Sequence, residues 1–322
     1  MLRSMYSGIS GLKNFQTKLD VIGNNIANVN TYGFKKGRVI FKDLMSQTQA
    51  GASGPGINSG GINTKQVGLG AEMAAIDTIH GAGSRQTTGR ILDLSIEGEG
   101  FFMVAEAPGT NEEEATAFNN IKYTRAGNFY MDQNGYIVNA DGYYLVGAAA
   151  ANGDYPSYAD LGAGESYSIV DPDADEAVNL LELGEDGPEF TFEGDGAATP
   201  IKIPTTAQSM SISTDGTVSF VDEDGTLRWA GQIITAKFPN AGGLEKVGSN
   251  YYQITANSGQ PFASVGGEAG LGKVISSSLE MSNVDLSEEF TEMIVAQRGF
   301  QANTRIITTS DEILQELVNL KR

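Results

Sequence analysis

The last 40 residues place an apolar side chain at every seventh position: Leu286, Met293, Phe300, Ile307 and Leu314, with Phe290, Ile294, Ile313, Leu317 and Val318 beside them. A seven-residue apolar spacing holds one stripe of an α-helix in a fixed direction over its whole length, so it predicts a long helix with a helical partner. Asp285-Leu-Ser-Glu288 supplies an N-cap with Glu at the third helical position. Asp285, Glu288 and Glu289 at the start and Lys321-Arg322 at the end suit the helix dipole. At about 1.5 Å per residue, some 35 residues extend roughly 50 Å.

The first 30 residues carry a matching stripe at steps of three and four: Leu2, Met5, Ile9, Leu12, then Leu19, Ile22, Ile26 and Val29. A one-sided apolar stripe must be buried, and the other terminal helix is the simplest cover. Packed along these seams the two would form an antiparallel or staggered pair. Gln16, Gln297, Gln301 and Thr304 interrupt the stripes. Two readings follow: an ordinary intramolecular hairpin, or helices that need other copies of the chain. Asn24, Asn25 and Asn28 read as polar seams or caps where helix gives way to loop.

Everything between the helices reads as β. Asn134-Gly135, Asp141-Gly142, Asp215-Gly216 and Asp224-Gly225 punctuate runs of β-branched and aromatic residues, and such dipeptides supply the positive φ that tight hairpins need. The expected fold class is α+β: long terminal helices forming a coiled-coil-like core, an all-β middle domain and an inserted, β-rich, acidic outer domain. The expected domains are a helical core at 1–45 and 282–322, a flexible Gly-rich connector at 46–64, a β-rich middle at 65–146 and 200–281, and the insertion at 147–199. The insertion stands out by charge. From Arg125 to Lys202 no Lys or Arg occurs, yet 15 carboxylates do.

Composition closes off whole classes of function. Of 322 residues, 21 are Lys or Arg and 40 are Asp or Glu, giving a net charge of −19. That opposes nucleic-acid and anionic-membrane binding. No apolar run is long enough to span a bilayer, and no continuous apolar core of a cleaved secretory signal is visible near the start. Without Cys there are no disulfides or thiolate sites, and with one His, His80, no multi-histidine metal site. His80 has no obvious base or nucleophile nearby in sequence and reads as a surface or turn residue. Gly267-Glu-Ala-Gly-Leu-Gly-Lys273 has phosphate-loop spacing, but Val274 stands where the Mg²⁺-binding hydroxyl belongs. Gly98-Glu-Gly100 lacks the third glycine of a dinucleotide fingerprint. No enzyme constellation and no cofactor is expected. One acidic segment is sharper: Asp171, Asp173, Asp175, Asn179 and Glu182 follow the ligand order of an EF-hand loop, although Glu176 replaces the turn glycine. It reads either as a Ca²⁺ loop or as a plain solvated face.

Four blocks, in order, carry a family resemblance. Asp20-Val-Ile-Gly-Asn-Asn-Ile-Ala-Asn28 with Thr31-Tyr-Gly-Phe-Lys35 resembles the N-terminal signature of bacterial flagellar rod and hook proteins. Thr88-Gly-Arg-Ile-Leu-Asp-Leu-Ser-Ile96 with Gly98-Glu-Gly-Phe-Phe102 resembles the start of their β domain, and Tyr123-Thr-Arg-Ala-Gly-Asn-Phe129 the next block. Ser282-Asn-Val-Asp-Leu-Ser287 through Gln301-Ala-Asn303 resembles their C-terminal signature.

The resemblance implies a structural subunit that polymerises with itself into an open helical tube, a universal joint carrying torque from motor to filament. Within the family it points to the hook protein, with the distal rod protein as the alternative. It implies a hook or basal-body location outside the cell and passage through the flagellar type III export apparatus. It also implies contacts with the distal rod protein, the hook cap and the hook–filament junction proteins. The residues expected to carry self-association are Leu2, Met5, Ile9, Leu12, Leu19, Ile22, Ile26, Leu286, Phe290, Met293, Ile294, Phe300, Ile307, Leu314 and Leu317. A secreted β-rich adhesion module with internally paired helices is the competing class.

Overall fold

The computed structural model of the chain describes residues 2–55, 60–106, 119–149, 155–157, 181–184, 187–190 and 199–320. The chain divides into two compact units, one from Met1–Val29, Lys35–Ile79 and Val284–Arg322, the other from Asn30–Phe34 and His80–Asn283.

In the first unit, helices α1 (Leu2–Ala27) and α2 (Leu286–Asn319) run antiparallel, with Gly8 beside Ile307, Gly11 beside Asn303 and Phe15 against Gly299. The Lys18 ammonium closes on the Glu292 carboxylate. The glycines have a packing role here. A Cβ on Gly299 would lie 2.5 Å from the Phe15 ring, so the ring rests on bare backbone. A glycine inside a helix costs about 1 kcal/mol relative to alanine; the seat it gives Phe15 offsets that. The Asp285 side chain accepts from the Ser287 and Glu288 backbone N–H groups and caps α2, as its sequence indicates.

Four strands join the helices in this unit: β1 (Gly37–Asp43), β2 (Ser46–Ala50), β3 (Lys65–Gly68) and β4 (Ala71–Thr78). β1 pairs antiparallel with β4 from Gly37↔Thr78 to Asp43↔Ala71, and β2 with β3 from Ser46↔Gly68 to Ala50↔Lys65. A Ser53↔Ile62 bridge continues the ladder. The expected flexible connector at 46–64 therefore begins as a strand, and residues 65–78, expected in the β middle, group with the helices. The physical reason is register. The β1–β4 pairing passes through the Leu44 N–H to Gly70 C=O bond, 2.8 Å, and holds the next residues opposite one another despite their glycine-rich neighbourhood.

The second unit is antiparallel β. Its strands are β5 (Arg85–Thr87), β6 (Leu94–Glu97), β7 (Phe101–Glu106), β8 (Asn119–Thr124), β9 (Tyr130–Met131), β10 (Ile137–Val138) and β11 (Tyr144–Ala149). After them come β12 (Leu181–Gly184), β13 (Gly187–Phe190), β14 (Thr199–Pro200), β15 (Ser209–Ile212), β16 (Thr217–Val221) and β17 (Leu227–Lys237). The last are β18 (Glu245–Gly248), β19 (Tyr251–Gln253), β20 (Phe262–Val265), β21 (Lys273–Ser276) and β22 (Ser278–Glu280). The main sheet runs β15-β16-β17-β11-β7-β8-β19-β18. Strands before and after the acidic stretch, β11 against β14 and β17, are neighbours in it.

Alternate residues of a strand face opposite sides. On β7, Phe101, Met103 and Ala105 enter one apolar cluster, while Phe102 and Val104 enter another. β17 divides likewise, Ile234 and Ala236 against Ile233, with Ala230 brought to the Ile233 side by a bulge where Gly231 and Trp229 face successive residues of β16. The sheet thus carries a core on each face, and these strands read as continuous rather than alternating apolar runs. The four Asn-Gly and Asp-Gly steps named above are turns: Gly135, Gly142, Gly216 and Gly225 have φ between 76° and 88°. Of the acidic insertion, residues 155–157 and the β12–β13 hairpin are described. Residues 155–157 lie on the β16–β17 pair, with the Trp229 N–H donating to the Pro156 C=O at 3.1 Å and the Tyr155 ring edge-on to Phe220.

Candidate functional site

Few large apolar side chains of α2 are covered. Its buried residues are Glu289, Ala296 and Ser310, all small or polar. With Gly299 and Asn303 they mark the line that faces α1. Met293, Phe300, Ile307 and Leu314 of the seven-residue ladder are half-buried at its margin. Leu286, Phe290, Ile294 and Leu317 are exposed, Ile294 by 59%. On α1, which Leu2 opens, Ile22 is buried, Met5, Leu12, Leu19 and Ile26 are half-buried, and Ile9 is 49% exposed.

At 100° per residue, Leu286, Phe290 and Ile294 form one uncovered flank of α2. Val295, Ile306 and Ile313, also exposed, form a second on the other side. A helix apolar on one side needs one partner; α2 keeps apolar residues exposed on two flanks besides the line that meets α1.

Polar contacts fix the base of the pair. The Asn25 amide, 2% exposed, donates to the Gly37 C=O at 2.9 Å and to the Glu289 carboxylate at 3.2 Å, and its carbonyl oxygen accepts from the Gly37 N–H at 3.0 Å. The Lys36 ammonium meets the Glu288 carboxylate at 2.7 Å. Asn25 thereby joins the end of α1, the start of β1 and the first turn of α2. It is the polar seam anticipated for the Asn24–Asn28 block, and Asn28 in turn donates to the Asn24 C=O at 2.9 Å.

In the β unit the sequence blocks converge on a buried ion pair. The Arg125 guanidinium lies 3.1 Å from the Glu280 carboxylate and donates to the Ile96 and Gly98 carbonyls. Glu280 also accepts from the Gly83 N–H at 3.0 Å through its side chain and from the Gly33 N–H at 2.8 Å through its backbone C=O. Gly33, at φ 69°, has the Arg125–Ala126 backbone where a Cβ would stand, so no other residue fits. Burial pushes the nearby Tyr252 phenol up to about 12.

His80, expected as a surface or turn residue, lies in the loop between β4 and β5 but is half-buried there, its ring packed against Phe101 and Tyr252 at centroid distances of 5.6 and 5.4 Å. Its neighbours in space are distant in sequence, which is why its immediate context misled. Gly267–Lys273 links β20 to β21 without a helix, so it is no phosphate loop. Asp171, Asp173, Asp175 and Asn179 of the candidate Ca²⁺ loop lie outside the described residues, and Glu182 falls on β12. Among the described residues no group of three or more His, Cys, Asp or Glu could hold a metal, and no helix is long and apolar enough to cross a membrane. The sequence reading missed Phe15, Gly299, Arg125 and Glu280. Arg125 could have been found: it is the last cation before 76 residues without one, inside an otherwise uncharged block.

The terminal helices thus keep uncovered apolar flanks, and the sheet-rich middle holds a buried ion pair. The chain belongs to the flagellar hook and basal-body rod protein family, a family of structural proteins, and it is a flagellar protein of the motility apparatus. Residues 5–35 match the family described as flagella basal body rod protein. Residues 95–220 match the flagellar hook protein FlgE/F/G D1 domain, and 275–320 the flagellar basal body rod FlgEFG protein C-terminal family. The chain is 50% identical over 323 residues to the flagellar basal-body rod protein FlgG of Bacillus subtilis, covering all of both chains. It is 34% identical over 452 residues to the flagellar hook protein FlgE of Borreliella burgdorferi and 33% over 327 to that organism's FlgG, again with full coverage of both. A solved flagellar hook protein from Helicobacter pylori aligns with 68% of this chain and 47% of its own, at 17% identity and a TM-score of 0.21. The adhesion-module reading is set aside by this membership.

Proposed function

We propose that this chain is the hook subunit, polymerising with itself into a bendable tube that transmits torque from rod to filament. The supporting observation is the hook protein FlgE of Borreliella burgdorferi: it is 34% identical to this chain with full coverage of both, at the level of that organism's FlgG at 33%, although it is the longer protein. The distal rod is the second reading, favoured by the 50% identity to the Bacillus protein named FlgG.

Self-association would run through the flanks of α1 and α2. Leu286, Phe290, Ile294 and Leu317 would meet neighbouring copies, while Met293, Phe300, Ile307 and Leu314 would serve both the internal pair and the shared face. The contact joins different surfaces of successive copies and does not close, so it gives an open helical polymer. The carboxylates at 126–201 would keep such a polymer solvated and resist lateral bundling. Partners in this reading are the chain itself, the distal rod protein, the hook cap, the hook–filament junction proteins and the type III export apparatus, by which the chain would leave the cell.

Electron microscopy of cells lacking this chain tests the assignment. Motors with a complete rod, no curved segment and no filament are expected. Motors truncated within the rod would reassign the chain to the distal rod.

A further inference from the structure

A polar cleft in the β unit plays no part in self-association as described above. Four segments surround it: residues 30–32, the stretch 124–128 after β8, the 139–141 loop before β11, and the β18–β19 turn at 249–251. The cavity holds about 240 Å³, smaller than a drug-sized pocket and suited to one small ring.

Its walls are braced. Ser249 and Asn250 make a two-residue turn at φ 48° and 62°. The Asn250 amide donates to the Tyr32 C=O at 3.1 Å, and the Thr124 hydroxyl donates to the Asn250 C=O at 3.1 Å. The Asn139 side chain accepts from the Asp141 and Tyr143 N–H groups and donates to the Tyr251 hydroxyl at 2.6 Å. That hydroxyl donates to one Asp141 oxygen at 2.5 Å. These groups are occupied by the fold.

Others are not. The amides of Asn30 and Asn128, the phenol of Tyr32, the hydroxyl of Ser249 and the second oxygen of Asp141 line the cleft and have no hydrogen-bond partner among the described residues. Together they offer donors and acceptors in nearly equal measure. No Lys, Arg, His or Glu lines the cleft, so an anion would find no counter-charge. A cation would find one carboxylate, already engaged by Tyr251. The ligand chemistry that fits is uncharged and able to donate and accept at each group, with an apolar face to lie against the half-buried ring of Tyr32.

We propose that this cleft binds one uncharged pyranose unit of a glycan. Vicinal hydroxyls donate and accept at once, matching amide and carboxylate partners, and the ring C–H faces pack on tyrosine. Affinity for a single ring is weak, on the order of millimolar. The inference is independent of the hook assignment.

Saturation-transfer NMR on the full chain tests it, with the methyl glycosides of glucose, galactose and N-acetylglucosamine as probes and methyl glucuronide and glucosamine as charged controls. At least one neutral glycoside should receive saturation at millimolar concentration and the charged sugars less. Asn128→Ala with Asp141→Ala should abolish the signal, and Tyr32→Phe should weaken it. Asn30→Ala, at an exposed loop, serves as a second variant if the double substitution misfolds, and should also weaken it. No transfer from any neutral glycoside, stronger transfer from a charged one, or transfer unchanged in the folded variants overturns the proposal.

Discussion

The Arg125 guanidinium and the Glu280 carboxylate meet at 3.1 Å with 4% and 2% of their side chains exposed, 155 residues apart in the chain. The pair joins the stretch after β8 to the end of β22. Removing one partner leaves the other charged and dry, which costs about 3–5 kcal/mol. Arg125→Met should therefore lower the unfolding free energy of the β unit by that amount, and Arg125→Met with Glu280→Leu should recover a large part of it. Trp229, the single tryptophan, lies in this unit and reports its unfolding in urea by fluorescence. A double variant as weak as the single would contradict the coupling.

Asn25 and Glu289 set up a sharper electrostatic test in the helical unit. Asn25→Asp replaces a neutral donor 3.2 Å from the Glu289 carboxylate with a like charge. Two such carboxylates cannot both ionise at ordinary cost, so one folded-state pKa rises. A carboxyl with a raised folded pKa stabilises fully below its unfolded value, near 4, and that contribution is lost as pH rises through the folded value. The variant should thus be about 2–4 kcal/mol less stable than wild type at pH 7, with the gap narrowing toward pH 4. Helical circular dichroism through thermal melts at both pH values measures this, and Asn25→Ala, whose deficit should not narrow, is the control.

Phe15 and Gly299 make a steric pair. A side chain at 299 must displace the Phe15 ring, which a Cβ would approach to 2.5 Å. Gly299→Leu should weaken the α1–α2 pair by about 1–3 kcal/mol despite leucine's better helix propensity. Phe15→Ala added to it should restore part of the loss, because the new side chain then fills the space of the old. Melting temperatures of the two variants and of Phe15→Ala close the cycle.

The buried Tyr252 phenol gives the β unit an alkaline limit. Its folded pKa of about 12 stands above the ordinary value of about 10. A proton held more tightly in the folded state stabilises below pH 10 and is lost as pH rises from about 10 to 12, a contribution of about 2 kcal/mol. Tyr252→Phe should flatten the fall in stability across that interval, as read by urea titrations at pH 9 and pH 11.

Much of this architecture is legible in the residues. The Asp285 cap, the long α2 helix and the four named Asn-Gly and Asp-Gly turns depend on local chemistry, and each stands where its sequence indicates. What escaped is non-local. The ladder suggests that Met293, Phe300 and Ile307 centre the seam with α1, yet Ala296, Gly299 and Asn303 take that place, because the fit of Phe15 on bare backbone depends on a residue nearly 300 positions away. The pairing of β2 with β3 is hidden by the glycines between them. The Arg125–Glu280 pair appears only once the stretch after β8 and the end of β22, distant in sequence, lie side by side. For the assembly face the outward residues Phe290 and Ile294 were visible as apolar, but that they stay uncovered is a fact of the folded pair.

The central claim is that the uncovered flanks of α2 exist to be covered by other copies. The direct measurement is seeded polymerisation of the full-length chain followed by electron microscopy and sedimentation, comparing wild type with Ile294→Asp and Phe300→Asp. Wild type should grow helical fibres or tubes, while both variants should sediment as monomers with the urea unfolding of the β unit unchanged. A wild-type chain that stays a compact monomer under every seeding condition, or an Ile294→Asp chain that polymerises as readily as wild type, would contradict the account.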